Sequence, residues 1–358
     1  MVKYLLGCIA ITLLLSERLV DTKKMFSGKL VFLWRIVAAG ILFVLLAAWR
    51  DPLAVEGSDI YNYAIHYQSA ASIPFWQFMT TSTFEPGYTL FVWLLHLLIP
   101  SFNGALVVFY GVMFAMFAWF LMQTGTTRSN PLGIAALVVF LFPSLSMLRN
   151  YMAICIGLLV FVQASKHRFI SAYCLSVAAA LFHFSAVIMV AVVTVIWLFD
   201  REDFQLKRFL LLGAITLAVE FLLSFLLPVL MAASQKYSYY VANRNGSISM
   251  GVLLATLYIL VISYPVISRL KKRTFWSRSM LFALAVSLLI VPIQLQFGIF
   301  HRMNIFFIPL QLRMLLKLQH SYSRFSNKWI AWGVIYSTDL FFLYRIAYFF
   351  LREMPSYG

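Results

Sequence analysis

Apolar runs of about 20 residues recur along nearly the whole chain, and each matches the length of helix needed to cross a bilayer. Charged residues make up only 11% of the sequence and aromatics 17%, a balance that excludes an ordinary soluble domain. The chain is therefore expected to be all-α, a polytopic helical membrane protein. Its 358 residues leave room for about 10 or 11 spans with short connections. Residues 1–358 read as one integral membrane domain, so function must lie in the helices and their loops.

The formal net charge is +16, but its distribution argues against a nucleic-acid partner. Basic residues gather in short loops, as the positive-inside rule requires of cytoplasmic connections. These are Arg18, Lys23, Lys24 and Lys29; Lys166 and Arg168; Arg201, Lys207 and Arg208; Arg269, Lys271, Lys272, Arg273 and Arg278; and Lys317, Arg324 and Lys328. Lys3 precedes an apolar stretch with no small-residue cleavage site at 16–19, which reads as an uncleaved first span. Cys8, Cys155 and Cys174 stand singly in apolar runs and read as small buried hydrophobes, not as a disulfide framework or metal site.

Spans are expected near residues 4–15, 30–48, 87–99, 104–122, 132–147, 149–163, 169–183, 186–199, 209–230, 250–267, 279–297, 303–317 and 329–350. With the basic loops inside, residues 143–151, 183–185 and 297–303 face the other way. That gathers Arg149, His183, His301 and Arg302 on one face, together with Arg50. If 87–99 and 104–122 both cross, the loop at 125–131 falls on the wrong side for the hairpin that follows. One segment must then be re-entrant or interfacial, with 87–99 or 70–79 the candidates, since partial spans are tolerated where they line a protein cavity.

Four of the 12 acidic residues, Asp51, Glu56, Asp59 and Glu85, fall between Arg50 and Tyr88. A charge placed near a bilayer centre costs roughly 2.5–3.5 kcal/mol on insertion scales, so this segment is the first place to look for chemistry. It contains Gly57-Ser58-Asp59-Ile60-Tyr61-Asn62-Tyr63 and Phe84-Glu85-Pro86-Gly87-Tyr88. Pro86 restricts Glu85 to an extended backbone at a helix entrance, and the glycines permit tight turns. Tyr61, Tyr63 and Tyr88 offer rings for stacking on sugars. A plainer account, compatible with the first, is an amphipathic interfacial helix over 59–69 with Asp59 as its N-cap.

A second constellation is cationic. Arg149, Arg302, His183 and Arg50, with His301 and Arg244 nearby in topology, would converge on a pyrophosphate, because an arginine presents a planar fork of donors that stays charged. Each also has a structural alternative in an ion pair or interfacial snorkelling. Glu220 and Asp339 lie in apolar runs and are expected to pair with a base such as Arg35, Arg313 or Arg345, or to sit protonated. No metal-ligand spacing, glycine-rich phosphate loop or nucleophile elbow occurs, so no metal or cofactor is expected.

The order Arg50, Gly57-x-Asp59-x-x-x-Tyr63, Glu85-Pro86-Gly87-Tyr88, Arg149-Asn150, Phe182-His183-Phe184-Ser185 and Arg302 resembles bacterial exopolysaccharide polymerases of the EpsG type, a group that includes Wzy O-antigen polymerases. The resemblance spans about residues 30 to 320. It departs from the usual Arg-Gln at Arg149-Asn150 and from Gly-Thr-Asp at Gly57-Ser58-Asp59.

What the resemblance implies is a GT-C-like membrane glycosyltransferase of the bacterial inner membrane, active on the periplasmic face. Undecaprenyl-pyrophosphate-linked oligosaccharide would be donor and acceptor, with a chain-length regulator as a possible partner. Glu85 or Asp59 would take the acceptor proton. Arg149, Arg302, His183 and Arg50 would hold the pyrophosphate. An O-antigen ligase would share donor and face but use a lipid A core as acceptor. A lipid-linked oligosaccharide flippase would distribute its charges through the membrane depth and show internal repeats.

Overall fold

The computed structural model describes residues 2–16, 28–49, 59–199, 254, 256–263, 283–284, 286–288 and 301–353. The expectations for Arg50, Asp51, Glu56, Glu220 and Arg244, for the side chain of His301, and for the span at 209–230 lie outside them, as does most of 250–267 and 279–297. All regular structure in the described residues is helical, and the chain is an all-α polytopic membrane protein.

The helices are α1 (Val2–Leu15), α2 (Gly28–Ala48), α3 (Asp59–Ser69), α4 (Phe75–Thr81), α5 (Pro86–Leu98), α6 (Phe102–Gln123) and α7 (Pro131–Val139). They continue with α8 (Leu148–Ala164), α9 (Phe169–Phe182), α10 (Ile188–Phe199), α11 (His301–Ile305), α12 (Ile308–Tyr322) and α13 (Lys328–Tyr348). Within the described residues α2, α6 and α13 are long and apolar enough to cross a membrane alone. Shorter apolar helices complete the bundle.

The α8 helix lies at its centre, buried almost all round, as expected of a helix apolar on every face. It packs against α6, α9 and α10, while α2 joins α6 to α1, and α13 closes against α7 and α12. The outer face of α13 carries exposed Trp329, Trp332, Tyr336, Leu340 and Leu343, the stripe a helix presents to lipid.

Contacts between helix ends define two poles. At one, the start of α6 (Asn103, Gly104) meets the end of α2 (Ala48, Trp49), and Phe142 meets both Tyr4 and Phe349. At the other, Lys166 Nζ donates to Gln123 Oε1 at 2.6 Å, and Arg313 donates to the Thr124 carbonyl. The 125–131 connection therefore shares a pole with the basic turn at Lys166 and Arg168.

The topological conflict is resolved at α5. Its 13 residues rise about 20 Å, short of a hydrocarbon core of about 30 Å. Both of its ends stay beside α3: Tyr88 packs on Tyr63 at 5.6 Å between ring centroids, and the Ile99 carbonyl accepts from Tyr67 Oη. The chain thus dips and returns, and α6 starts from the pole where α2 ended.

Other expectations need correcting. Asp59 is the first helical residue of α3, so it sits inside the helix instead of capping it. The expected span at 303–317 is two helices, because Pro309 forces a new helix start after α11, and α12 runs on to Tyr322 with Lys317 inside it. Cys8 and Cys155 are buried, whereas Cys174 is on an exposed face of α9. Asp339 pairs with amides: its Oδ1 accepts from Asn130 Nδ2 and Gln319 Nε2, both at 2.8 Å. Of the bases expected for it, Arg35 is on the carbonyls of Leu13 and Ser16, Arg313 on that of Thr124, and Arg345 over the Tyr348 ring at 6.0 Å.

Candidate functional site

Helices α3, α5, α8, α9 and α11 meet around Glu85. In α3 the spacing of Tyr63, His66 and Tyr67 puts these rings on one helix face, and that face is turned toward α5. Pro86 occupies the first position of α5 and holds Glu85 extended at φ −64° and ψ 145°. The Glu85 carbonyl accepts from Thr89 at the backbone and at Oγ1, 3.0 and 3.1 Å. Its side chain makes no cap bond and is free to reach across to α8 and α9.

That reach depends on Gly87. A Cβ built there would lie 2.7 Å from Leu181 Cβ and 2.9 Å from the Leu181 carbonyl oxygen, closer than real Cβ atoms come. The first turn of α5 therefore lies directly on the last turn of α9, which ends at His183 two residues later. The glycine serves a close helix approach, not the tight turn expected of it.

The carboxylate has partners on both oxygens. Arg149 Nη1, from the first turn of α8, pairs with Oε2, and His183 Nδ1 lies 3.1 Å from Oε1. The Phe184 amide approaches the same Oε1 at 3.5 Å. Arg149 also donates from Nε to Tyr63 Oη at 3.4 Å, and its guanidinium lies 4.4 Å from the Phe84 ring centre, a cation–π contact. The Tyr63, Phe84 and Tyr88 rings form a triangle with centroids 5.6–5.7 Å apart. His66 is stacked on Phe78 at 4.6 Å and edge-on to Phe84.

Electrostatics follow from these contacts. Burial by itself would raise the Glu85 carboxyl, but the His183 hydrogen bond and the Arg149 charge outweigh it and hold the group down at about 2, from an ordinary 4.5. Glu85 is thus an anion throughout the physiological range. An ionised carboxylate can only accept, so the proton between it and His183 sits on Nδ1. His183 Nε2 is buried with no protein partner. Burial, with a further push from Arg149, lowers His66 to about 4, so its ring is neutral.

The remaining residues expected in the site are placed as follows. Arg302 is half-buried in α11, which packs on the turn after His183, and its charge is felt at Tyr63. Asp59 is exposed, one turn before Tyr63, and its charge is also felt there. Tyr88 is fully buried beneath the site with its hydroxyl unpartnered. Tyr61 precedes Tyr63 by two residues, roughly 200° round the helix, and projects from a different face. Asn150 is buried behind Arg149, accepting from Ser185 Oγ at 3.4 Å.

Tyr88 packs on Phe109 at 5.9 Å, about two turns into α6, so the cluster lies roughly 10 Å below the start of that helix. Phe84 and His66 were not singled out from sequence. His66 was discoverable from its i+3 spacing to Tyr63, whereas nothing in sequence announces that Phe84 offers its ring to an arginine 65 positions away. Among the described residues no group of three or more His, Cys, Asp or Glu is arranged to hold a metal.

This arrangement provides a fixed anion, a histidine whose Nε2 has no protein partner, two arginines and an aromatic wall. Such groups can take a proton from a hydroxyl and stabilise negative charge on a leaving oxygen. No curated protein and no solved structure matches the chain. Residues 31–354 match the family model described as EpsG family.

Proposed function

From the chain's membership of the EpsG family, we propose that it is an O-antigen or exopolysaccharide repeat-unit polymerase, a membrane glycosyltransferase joining undecaprenyl-pyrophosphate-linked oligosaccharides at the periplasmic face of the bacterial inner membrane. Family membership supports polysaccharide synthesis on lipid-linked saccharides. The observation that carries the finer reading is the Glu85 carboxylate, bound at once by Arg149 and His183 against an aromatic wall and recessed among apolar helices.

In this reading the acceptor sugar hydroxyl attacks the anomeric carbon of the donor. The C–O bond to the pyrophosphate breaks, and undecaprenyl pyrophosphate leaves with the electron pair. Glu85 was one of two carboxylates expected to take the hydroxyl proton, yet a group held at about 2 is a weak base. The proton instead goes to His183 Nε2, and Glu85 balances the imidazolium that forms. General-base help of this kind contributes typically 10²–10⁴-fold in rate.

Arg302 and the unspent N–H groups of Arg149, with Arg50, bind the pyrophosphate oxygens. The Tyr63 side carries the sugar, and Asp59 stands one turn away at the approach to it. The lipid tail leaves sideways between helices, and a chain-length regulator acts as partner.

The test is a gel of surface polysaccharide from cells lacking the gene and from cells complemented with it. Lipid A core capped by a single repeat unit in the deletion strain supports polymerisation as the lost step. Bare core, with polymer accumulating on undecaprenyl pyrophosphate, would overturn it in favour of ligation.

A further inference from the structure

We infer that the opposite pole of the bundle carries a second site, for a phosphate-bearing anion, built on one face of α12 and independent of the polymerase reading. A cavity of about 570 Å³ opens between the 125–131 connection, α12 and α13. Arg313, Lys317 and His320 line it, and their spacing of four and three residues puts them on one helix face. Ser129 adds a hydroxyl to the wall, while that of Ser323 donates to the His320 carbonyl at 2.7 Å.

Arg313 is the anchor. Its Nη2 donates to the Thr124 carbonyl, while its Nε is buried and has no partner. A guanidinium removed from water with a donor unspent is costly unless an acceptor arrives. The carboxylate on this wall does not supply one, because Asp339 Oδ1 is turned to Asn130 and Gln319 and forms no ion pair with Arg313. At the rim, Arg324 Nη2 lies 3.3 Å from His320 Nε2 and brings a further cation.

A planar guanidinium, an ammonium and the Ser129 hydroxyl match a group with several acceptor oxygens, and phosphate is the small anion that offers them. The volume accommodates a phosphate with a substituent attached. Exposed Trp329 and Trp332 lie at the start of α13, the helix whose Ile335 and Asp339 line the cavity, and such indoles sit at headgroup depth. The same chemistry therefore fits either a phospholipid headgroup or a soluble phosphate.

The test uses the full-length protein in nanodiscs of phosphatidylcholine alone, with the thermal unfolding midpoint as readout. Inorganic phosphate is titrated in one arm, and phosphatidic acid is included in the bilayer in the other. A rise in midpoint is expected in at least one arm. Phosphate alone sufficing identifies a soluble ligand, and a response to phosphatidic acid only identifies a headgroup. Lys317→Gln should weaken the response about tenfold, as expected for loss of one charged hydrogen-bonding partner. Arg168→Gln, an exposed basic residue at the same pole but outside the cavity wall, should leave it unchanged. No rise in either arm, an unaltered response in Lys317→Gln, or a response weakened equally in Arg168→Gln overturns the proposal.

Discussion

Glu85 sits where three influences compete, and the contacts decide the outcome. Burial favours the neutral acid, whereas His183 and Arg149 favour the anion and win, leaving the group at about 2. Because this value is depressed, the stabilisation is fully present above the ordinary 4.5 and is lost as pH falls through the folded value. The midpoint difference between wild type and Glu85→Gln should be constant from neutral pH down to about 5 and shrink between 4.5 and 2. The contribution is on the order of 3 kcal/mol. A difference that already collapses between pH 7 and 5 would contradict the pairing. Arg149→Lys keeps the charge but cannot serve Glu85, Tyr63 and the Phe84 face together. Polymer should fall by at least tenfold with the protein still inserted, as read on a polysaccharide gel beside a membrane immunoblot.

At the scale of elements, the site depends on α5 resting on α9. Gly87→Ala puts a methyl group into Leu181 Cβ and, more seriously, its carbonyl oxygen. Overpacking of this kind costs typically 1–3 kcal/mol and lifts Glu85 away from His183. Activity should drop sharply while abundance changes little, and Leu181→Ala should not rescue it, since the clashing Cβ and carbonyl remain. Rescue by that second change would show the contact to be a side-chain matter only. The motif Glu85-Pro86-Gly87-Tyr88 was visible in sequence, and so was the extended backbone that Pro86 imposes. The closeness of α9 was not, because a glycine in a helix's first turn looks the same whether it meets solvent, lipid or another backbone.

For the whole molecule, the returning course of α5 sets which pole every later helix starts from. Single cysteines in a cysteine-free background provide the check. Cysteines replacing Asn103 and Gln68 should react with a membrane-impermeant maleimide from one side, and those replacing Gly125 and Lys166 from the other. Reaction of Asn103→Cys and Gly125→Cys from the same side would mean that α6 does not cross. The candidate site also belongs to this scale, since residues 63, 149 and 302 come from three separate helices and residues 85 and 183 cap two more.

The sequence by itself determined the class of this protein and, among the described residues, its helices to within a few residues in most cases. Length, apolar runs and scarce charges leave no other physical solution in a bilayer, and a charge retained there has to have a use. The pole shared by Arg149, His183 and Arg302 was legible for the same reason, from the basic loops. Only the tertiary structure decided that Glu85 is tied to both Arg149 and His183, that Asp339 rests on amides and not on an arginine, and that α5 turns back. These depend on distances between segments far apart in the chain, and local hydropathy carries no information about which side chain will lie within 3 Å of which.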